Sequence, residues 1–188
     1  MILRNMVIDN FFNTPFQVRG EILQEPMNNE VASDGVTYPG IVKIPEHIQK
    51  DIVLKIEAVL DSKVKDVLIF ARHSLSDMEP PHWAHSDKEM CDYVGLIYMN
   101  EAPNHIDDCT FLVEHKKTGM FMHPEDQRNK DLLMTDSNKK NKWIITDRLM
   151  AKFNRMNLIS ADYLHAASSP YGRHRGDSRL VLSVFFRV

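Results

Sequence analysis

Pro81-His82-Trp83-Ala84-His85-Ser86-Asp87 is the stretch on which the reading of this chain turns. On an extended backbone, residues two apart project to the same face, so His85 and Asp87 point together. One imidazole beside one carboxylate makes two thirds of a two-histidine, one-carboxylate site. That donor set holds non-haem Fe(II) and leaves coordination positions open. A His-x-Asp pair also arises by chance, and its plain alternative is a polar strand end. The difference rests on a third ligand and on a use for the open positions.

Further along, His165 lies in Asp162-Tyr163-Leu164-His165-Ala166-Ala167, a short and nearly apolar strand. A lone histidine there also reads as a satisfied core residue. Arg179 opens the last strand, Ser178 to Phe186, whose other residues are almost wholly apolar. Burying a guanidinium in such a strand is costly unless an anion meets it. Its plain alternative is a strand-end arginine reaching to solvent. Its functional reading is a planar, permanently charged fork that grips a carboxylate with two hydrogen bonds.

The bulk numbers set the class. At 188 residues, with 43% hydrophobic and 26% charged residues, the chain is expected to form one domain with a sizeable core. A net charge of −3 gives no field to attract nucleic acid or an anionic membrane surface. The two cysteines, Cys91 and Cys109, form no close metal-type pair and are expected to be buried thiols rather than a disulfide. Arg4, Asp9 and Asn10 interrupt the start before a signal-peptide core forms, and no apolar run is long enough for a membrane helix. A soluble, cytoplasmic protein is expected.

In chain order, Met6 to Ile8 reads as a strand. Thr14-Pro15-Phe16-Gln17 reads as a helix start with a capping box, Phe16, Ile22 and Leu23 supplying the buried side. Met27 to Pro39, rich in Asn, Asp, Gly and Pro, reads as loop. A second helix is expected from Pro45 to about Asp61, where Ile48, Ile52, Ile56 and Leu60 make one stripe flanked by Val53 and Val59. Short strands follow at Val67–Arg72, at His85–Asp87, at Tyr93–Asn100 and at Thr110–Glu114. After Thr118-Gly119 a charged stretch to about Lys142 reads as a mobile or lid-like excursion with one or two helical turns around Leu132-Leu133-Met134. Strands resume at Leu149–Phe153, Met156–Ser160, Tyr163–Ala167 and Ser178–Phe186. Many short strands behind two helices indicate an α+β, mainly β sandwich or barrel.

The set His85-x-Asp87, His165 and Arg179, the last two separated by 179 − 165 = 14 positions, resembles the Fe(II)- and 2-oxoglutarate-dependent oxygenases of the prolyl-hydroxylase-like branch. Leu96-Ile97-Tyr98-Met99-Asn100 is similar to that branch's strand ending in Tyr-Leu-Asn. Tyr38-Pro39-Gly40, Thr110 to His115 with Thr118-Gly119, and Phe153-Asn154-Arg155 resemble a small uncharacterised group in the superfamily. One departure is Asp107-Asp108 before Cys109-Thr110, where relatives commonly carry glycine. The resemblance implies a double-stranded β-helix, a cupin-like jelly roll with the N-terminal helices supporting one outer face. It also implies Fe(II) on His85, Asp87 and His165, with 2-oxoglutarate as cosubstrate held by Arg179 and Tyr98, and O2 as oxidant. The implied activity is hydroxylation of a peptide or protein side chain, or else of an amino acid or small metabolite. Asn154 and Asn157 are candidate supports for the ligands, Asn154 more simply a turn residue. Arg173 and Arg175 are rival clamps in a Gly-flanked loop, and His73, His105, His115, His123 and His174 read as surface residues. Two other readings stand beside this one: a cupin-like binding barrel without turnover, and a zinc hydrolase on the same triad.

Overall fold

The structure is a computed structural model that describes residues 5–31, 35–101 and 108–188. Its elements run β1 (Asn5–Ile8), α1 (Pro15–Gln24), β2 (Met27–Val31), β3 (Thr37–Val42), α2 (Glu46–Leu60), β4 (Lys65–Ser74), β5 (Ala84–His85) and β6 (Tyr93–Tyr98). They continue as β7 (Cys109–His115), α3 (Gln127–Asp136), a 3-10 turn (Lys140–Lys142), β8 (Trp143–Met150), β9 (Arg155–Ser160), β10 (His165–Ala167) and β11 (Arg179–Arg187). Two antiparallel sheets result: a large one ordered β1-β9-β6-β11-β4-β3-β2, and a small one ordered β5-β10-β7-β8. This is the α+β, mainly β jelly roll expected, with two facing sheets that do not close into a continuous barrel.

Period-two alternation along β11 separates the two sides of the large sheet. Leu180, Leu182, Val184 and Phe186 join Ile97, Met156 and Leu158 in a core completed by Val18 and Ile22 of α1 and Ile48, Ile52 and Ile56 of α2. The four-residue stripe of α2 is therefore the face that seals the sheet. On the sheet's other side, Val94 and Ile159 meet Leu112 and Leu149 of the small sheet, which makes the interior between the sheets. Arg179, Val181 and Ser183 alternate into that interior.

Several sequence expectations are corrected. Met27 to Pro39 is not simply loop: β2 and β3 form an antiparallel pair at the edge of the large sheet, with β3 pairing β4. Gly40 has φ of 79°, and a side chain there would run into the His73 carbonyl oxygen, which accounts for the glycine in Tyr38-Pro39-Gly40. Phe16 is 64% exposed, leaning on Phe153 rather than entering the core. Thr14 makes no side-chain cap, and Gln17 bonds Glu21 instead, so the capping box is not formed. Val59 is exposed. Met1 to Arg4 and His105 lie outside the described residues. Both cysteines are buried thiols, not joined in a disulfide. Burial pushes the Cys91 thiol up to about 12. Among the described residues, no helix is long and apolar enough to cross a membrane.

His73, read as a surface residue, is fully buried with Nδ1 2.7 Å from Ser178 Oγ. Burial, with Arg175 and Arg19 nearby, pushes its imidazole down to about 4. The folded value lies below the ordinary histidine value, so the unfolded chain takes up the proton first. Stability is full above the unfolded value and falls as the pH drops toward the folded one. The loss from about pH 7.5 to about pH 5 is expected to be on the order of 2 kcal/mol. Urea midpoints of metal-free wild type and His73→Gln at the two pH values measure it: the variant should lose less by that amount. Equal losses would show that His73 charges freely in the folded protein.

Candidate metal and cosubstrate site

The small sheet assembles the predicted ligands. Antiparallel pairing of β5 and β10 sets His85 directly opposite His165, with ring centroids 4.5 Å apart. Asp87 follows β5 by two residues and is held by its N–H, which donates to the Ala161 carbonyl at 3.2 Å. Its Oδ2 lies 3.2 Å from His165 Nε2, and its Oδ1 lies 3.8 Å from His85 Nε2. The three residues offer one ligand atom each within 4.8 Å of one another. His165 Nδ1 is 3.0 Å from the Tyr163 carbonyl oxygen, and a proton donated there leaves the Nε2 lone pair toward the cluster.

Electrostatics agree with a cation site. Burial, with His165 close by, pushes the His85 imidazole down to about 4, which keeps it neutral. Burial opposes ionisation of Asp87, yet the two imidazoles hold its carboxyl below the usual carboxylate range. Burial likewise opposes protonation of His165, but the Asp87 bond raises it. A neutral imidazole, an ionised carboxylate and an imidazole whose proton a metal displaces are the donors a divalent ion needs. The residues present fit the ion.

The second half of the site lies along the same interior. His165 of β10 pairs with Leu112 of β7, and Ala167 pairs with Thr110. Thr110 is thus one same-face step along the strand from the metal side. Its Oγ1 meets the Tyr98 hydroxyl at 2.7 Å, and Asn157 Nδ2 lies 3.4 Å from that hydroxyl. Arg179 Cζ stands 5.7 Å from the centre of the Tyr98 ring. Arg179 is 6% exposed, so it does not reach to solvent. The sequence requirement for an anion beside it is met from within the chain. Arg179 Nε donates to Asp108 Oδ1 at 2.8 Å, and Asp108 also accepts from Ser168 Oγ at 2.9 Å and Tyr171 Oη at 2.8 Å.

Asp108, Thr110, Ser168 and Tyr171 were not singled out as site residues by their sequence. The only signal was Asp107-Asp108 standing where glycine is common, and Asp107 itself lies outside the described residues. The rival arginines do not face the interior. Arg175 donates to the Ile22 carbonyl of α1, and Arg173 is exposed beside Asp177. Asn154 has φ of 62° and bonds both backbone groups of Phe12, so it is the turn residue expected.

The charged stretch after Gly119 carries the expected helical turns, as α3, and is packed onto the small sheet. Asp126 caps α3 by accepting from Asn129 N–H at 3.0 Å, and Leu133 enters a core with Trp83, Phe111 and Trp143 on the outer face of the small sheet. His115, also expected at the surface, is fully buried beside Asp136. His123 Nδ1 lies 2.7 Å from Ser86 Oγ, the residue between His85 and Asp87. The end of α3 then braces the ligand strand. Ala84 N–H donates to the Ser137 carbonyl, Ser137 Oγ donates to the Ala84 carbonyl, and Asn138 bonds Trp83 N–H and the Pro81 carbonyl. Replacing Asn138 by Ala is expected to cost about 1 kcal/mol of stability. It should also weaken Mn(II) binding several-fold, because β5 loses its outer support. A variant unchanged in melting temperature and in Mn(II) affinity would show that the brace is incidental.

No family model and no curated protein matches the sequence. Solved structures do match, over nearly the whole chain. HygX from Streptomyces hygroscopicus with nickel and 2-oxoglutarate bound is 13% identical at a TM-score of 0.57, over 98% of this chain and 83% of that one. IDO from Bacillus thuringiensis is 12% identical at 0.54, over 97% and 89%. An oxidoreductase of the 2OG-Fe(II) oxygenase family from Burkholderia pseudomallei is 8% identical at 0.51, over 97% and 83%. At such identities the likeness is one of fold: the chain shares the jelly-roll fold of these structures.

Proposed function

We propose that residues 1–188 form one Fe(II)- and 2-oxoglutarate-dependent oxygenase domain that hydroxylates an organic substrate, a peptide side chain before an amino acid or small metabolite. The observation that carries this reading is the convergence of His85, Asp87 and His165 from two paired strands, with a buried arginine along the same interior. The run Tyr98-Met99-Asn100 supports a place in the prolyl-hydroxylase-like branch. In that role His85, Asp87 and His165 hold the metal, and the Tyr163 carbonyl fixes the tautomer of His165. Bound Fe(II) with 2-oxoglutarate and O2 supplies the oxidation, in which the 2-oxo acid becomes succinate and CO2 and one oxygen atom enters the substrate. Arg179 and Tyr98 orient the cosubstrate, and the apolar interior of Leu112, Leu149 and Ile159 keeps water from the reacting centre.

The test is succinate formation from 2-oxoglutarate by the Fe(II)-loaded protein in air with ascorbate, scored against peptide and metabolite pools. Metal-dependent succinate, increased by a substrate that gains one oxygen atom, is the expected result. Substrate hydrolysis with Zn(II) and no succinate would replace the oxygenase reading with a hydrolase.

A further inference from the structure

A second arginine stands at the end of the interior that holds Arg179. The pairing of β11 with β4 sets Arg179 opposite Ser74 and Val181 opposite Arg72. Ile69 and Ala71 of β4 are buried in the core toward the helices. Arg72 and Ser74 therefore project to the sheet's other side, with Arg179 and Val181. Arg72 and Arg179 are diagonal neighbours on paired strands, about 7–8 Å apart at the backbone and within reach of each other's side chains. Burial, and after it the Arg179 charge, holds the Arg72 guanidinium below the ordinary arginine range.

The two arginines are unequally supplied with acceptors. Arg179 Nε bonds Asp108 Oδ1 at 2.8 Å, and Ser168 and Tyr171 each donate to that carboxylate and hold it in place. Arg72 is half-buried. Its Nε donates to the Pro39 carbonyl at a long 3.3 Å, and its Cζ stands 6.0 Å from the centre of the Tyr38 ring. A carbonyl dipole and a ring face attract a cation but carry no net charge. Among the described residues no carboxylate pairs with Arg72, and the four N–H donors of its terminal nitrogens meet no acceptor. Two guanidiniums and one carboxylate thus share this end, leaving one positive charge over. Like charges held close and partly out of water cost free energy that an arriving anion offsets. The distal carboxylate of 2-oxoglutarate is such an anion, and its two oxygens can meet both forks.

Resting on the oxygenase reading above, we propose that Arg72 is a specificity-determining residue: it supplies the unpaired positive charge that selects a 2-oxo acid with a distal carboxylate, while Arg179, already paired with Asp108, supplies hydrogen bonds and shape. Arg72→Gln removes the charge and keeps a donor of similar length. Arg72→Lys keeps the charge and removes the planar fork. Calorimetric titration of the Mn(II)-loaded protein with 2-oxoglutarate and with 2-oxopentanoate, which has the same chain length and no distal carboxylate, reads the effect without turnover.

Wild type should prefer 2-oxoglutarate by about tenfold or more. In Arg72→Gln, 2-oxoglutarate should weaken about tenfold or more, while 2-oxopentanoate changes less than about threefold, and Arg72→Lys should restore most of the preference. Equal binding of the two acids by wild type overturns the proposal, and this comparison needs no variant. So does a folded Arg72→Gln protein, judged by its melting temperature, that keeps the wild-type preference. Equal weakening of both acids in Arg72→Gln overturns it too, since a merely structural arginine would act on the shared part of the ligand. If Mn(II)-loaded wild type binds neither acid, the cosubstrate reading itself fails and this inference fails with it. If wild type prefers 2-oxoglutarate and Arg72→Gln changes nothing, only the role of Arg72 is lost.

Discussion

Asp87→Ala is expected to weaken Mn(II) binding at least about a hundredfold, or about 2.7 kcal/mol. Asp87 is the only anion in the triad, and its carboxylate reaches toward both imidazoles, at 3.2 Å and 3.8 Å. Without it, the ion would face two neutral nitrogens in a largely buried pocket with nothing to offset its charge. His165→Ala and His85→Ala should each lose a comparable amount, since each removes one of three ligand atoms. Asp87→Asn separates charge from shape: it keeps an oxygen in place and should still bind far more weakly than wild type. Calorimetry with Mn(II), alongside melting curves for folding, gives the comparison. Wild-type affinity in folded His165→Ala would take that histidine out of the site.

The second large effect is on stability. Arg179→Met should destabilise the protein by about 3–5 kcal/mol, because it leaves Asp108 buried and without its cation. Adding Asp108→Asn to Arg179→Met should recover a large part of that loss, since the pair is then replaced by two uncharged groups. Urea unfolding of wild type, both single variants and the double variant forms the cycle. Additive losses would mean that the 2.8 Å contact contributes no coupling.

The triad was legible in the sequence because period-two geometry on a strand is rigid. His-x-Asp projects to one face, whereas His165 taken alone reads as a core histidine and joined the set only with Arg179 fourteen positions on and the family resemblance. The stripe of α2 was legible for the same kind of reason, since Ile48, Ile52 and Ile56 all meet one sheet. The strands β2 and β3 were not. All of β2 is exposed, and an edge strand wet on both faces carries no apolar alternation to read. Phe16 shows the reverse failure, a large apolar residue at a helix start that stays largely exposed and leans only on the edge residue Phe153.

His73 and His115 were misread for a subtler reason. Their neighbours in sequence are polar, but His73 continues the alternating buried series Ile69-Ala71-His73 on β4, and His115 follows Phe111 and Val113 on one face of β7, a strand buried on both faces from Cys109 to Val113. The alternation was present and outweighed by local polarity. Asp108 had no periodic signal at all. It precedes β7, and only the fold brings it to an arginine 71 positions away. The expectation that a buried Arg179 requires an anion was sound. The sequence did not show that the chain carries that anion itself.

The most direct test is an anaerobic titration of Fe(II)-loaded protein with 2-oxoglutarate, followed by visible absorption. Chelation of the 2-oxo acid to iron held by His85, Asp87 and His165 should produce a charge-transfer band. The band should require both metal and acid, saturate at one equivalent of each, and be absent in His165→Ala. Tight Fe(II) binding with no band at saturating 2-oxoglutarate would contradict a cosubstrate site beside this metal.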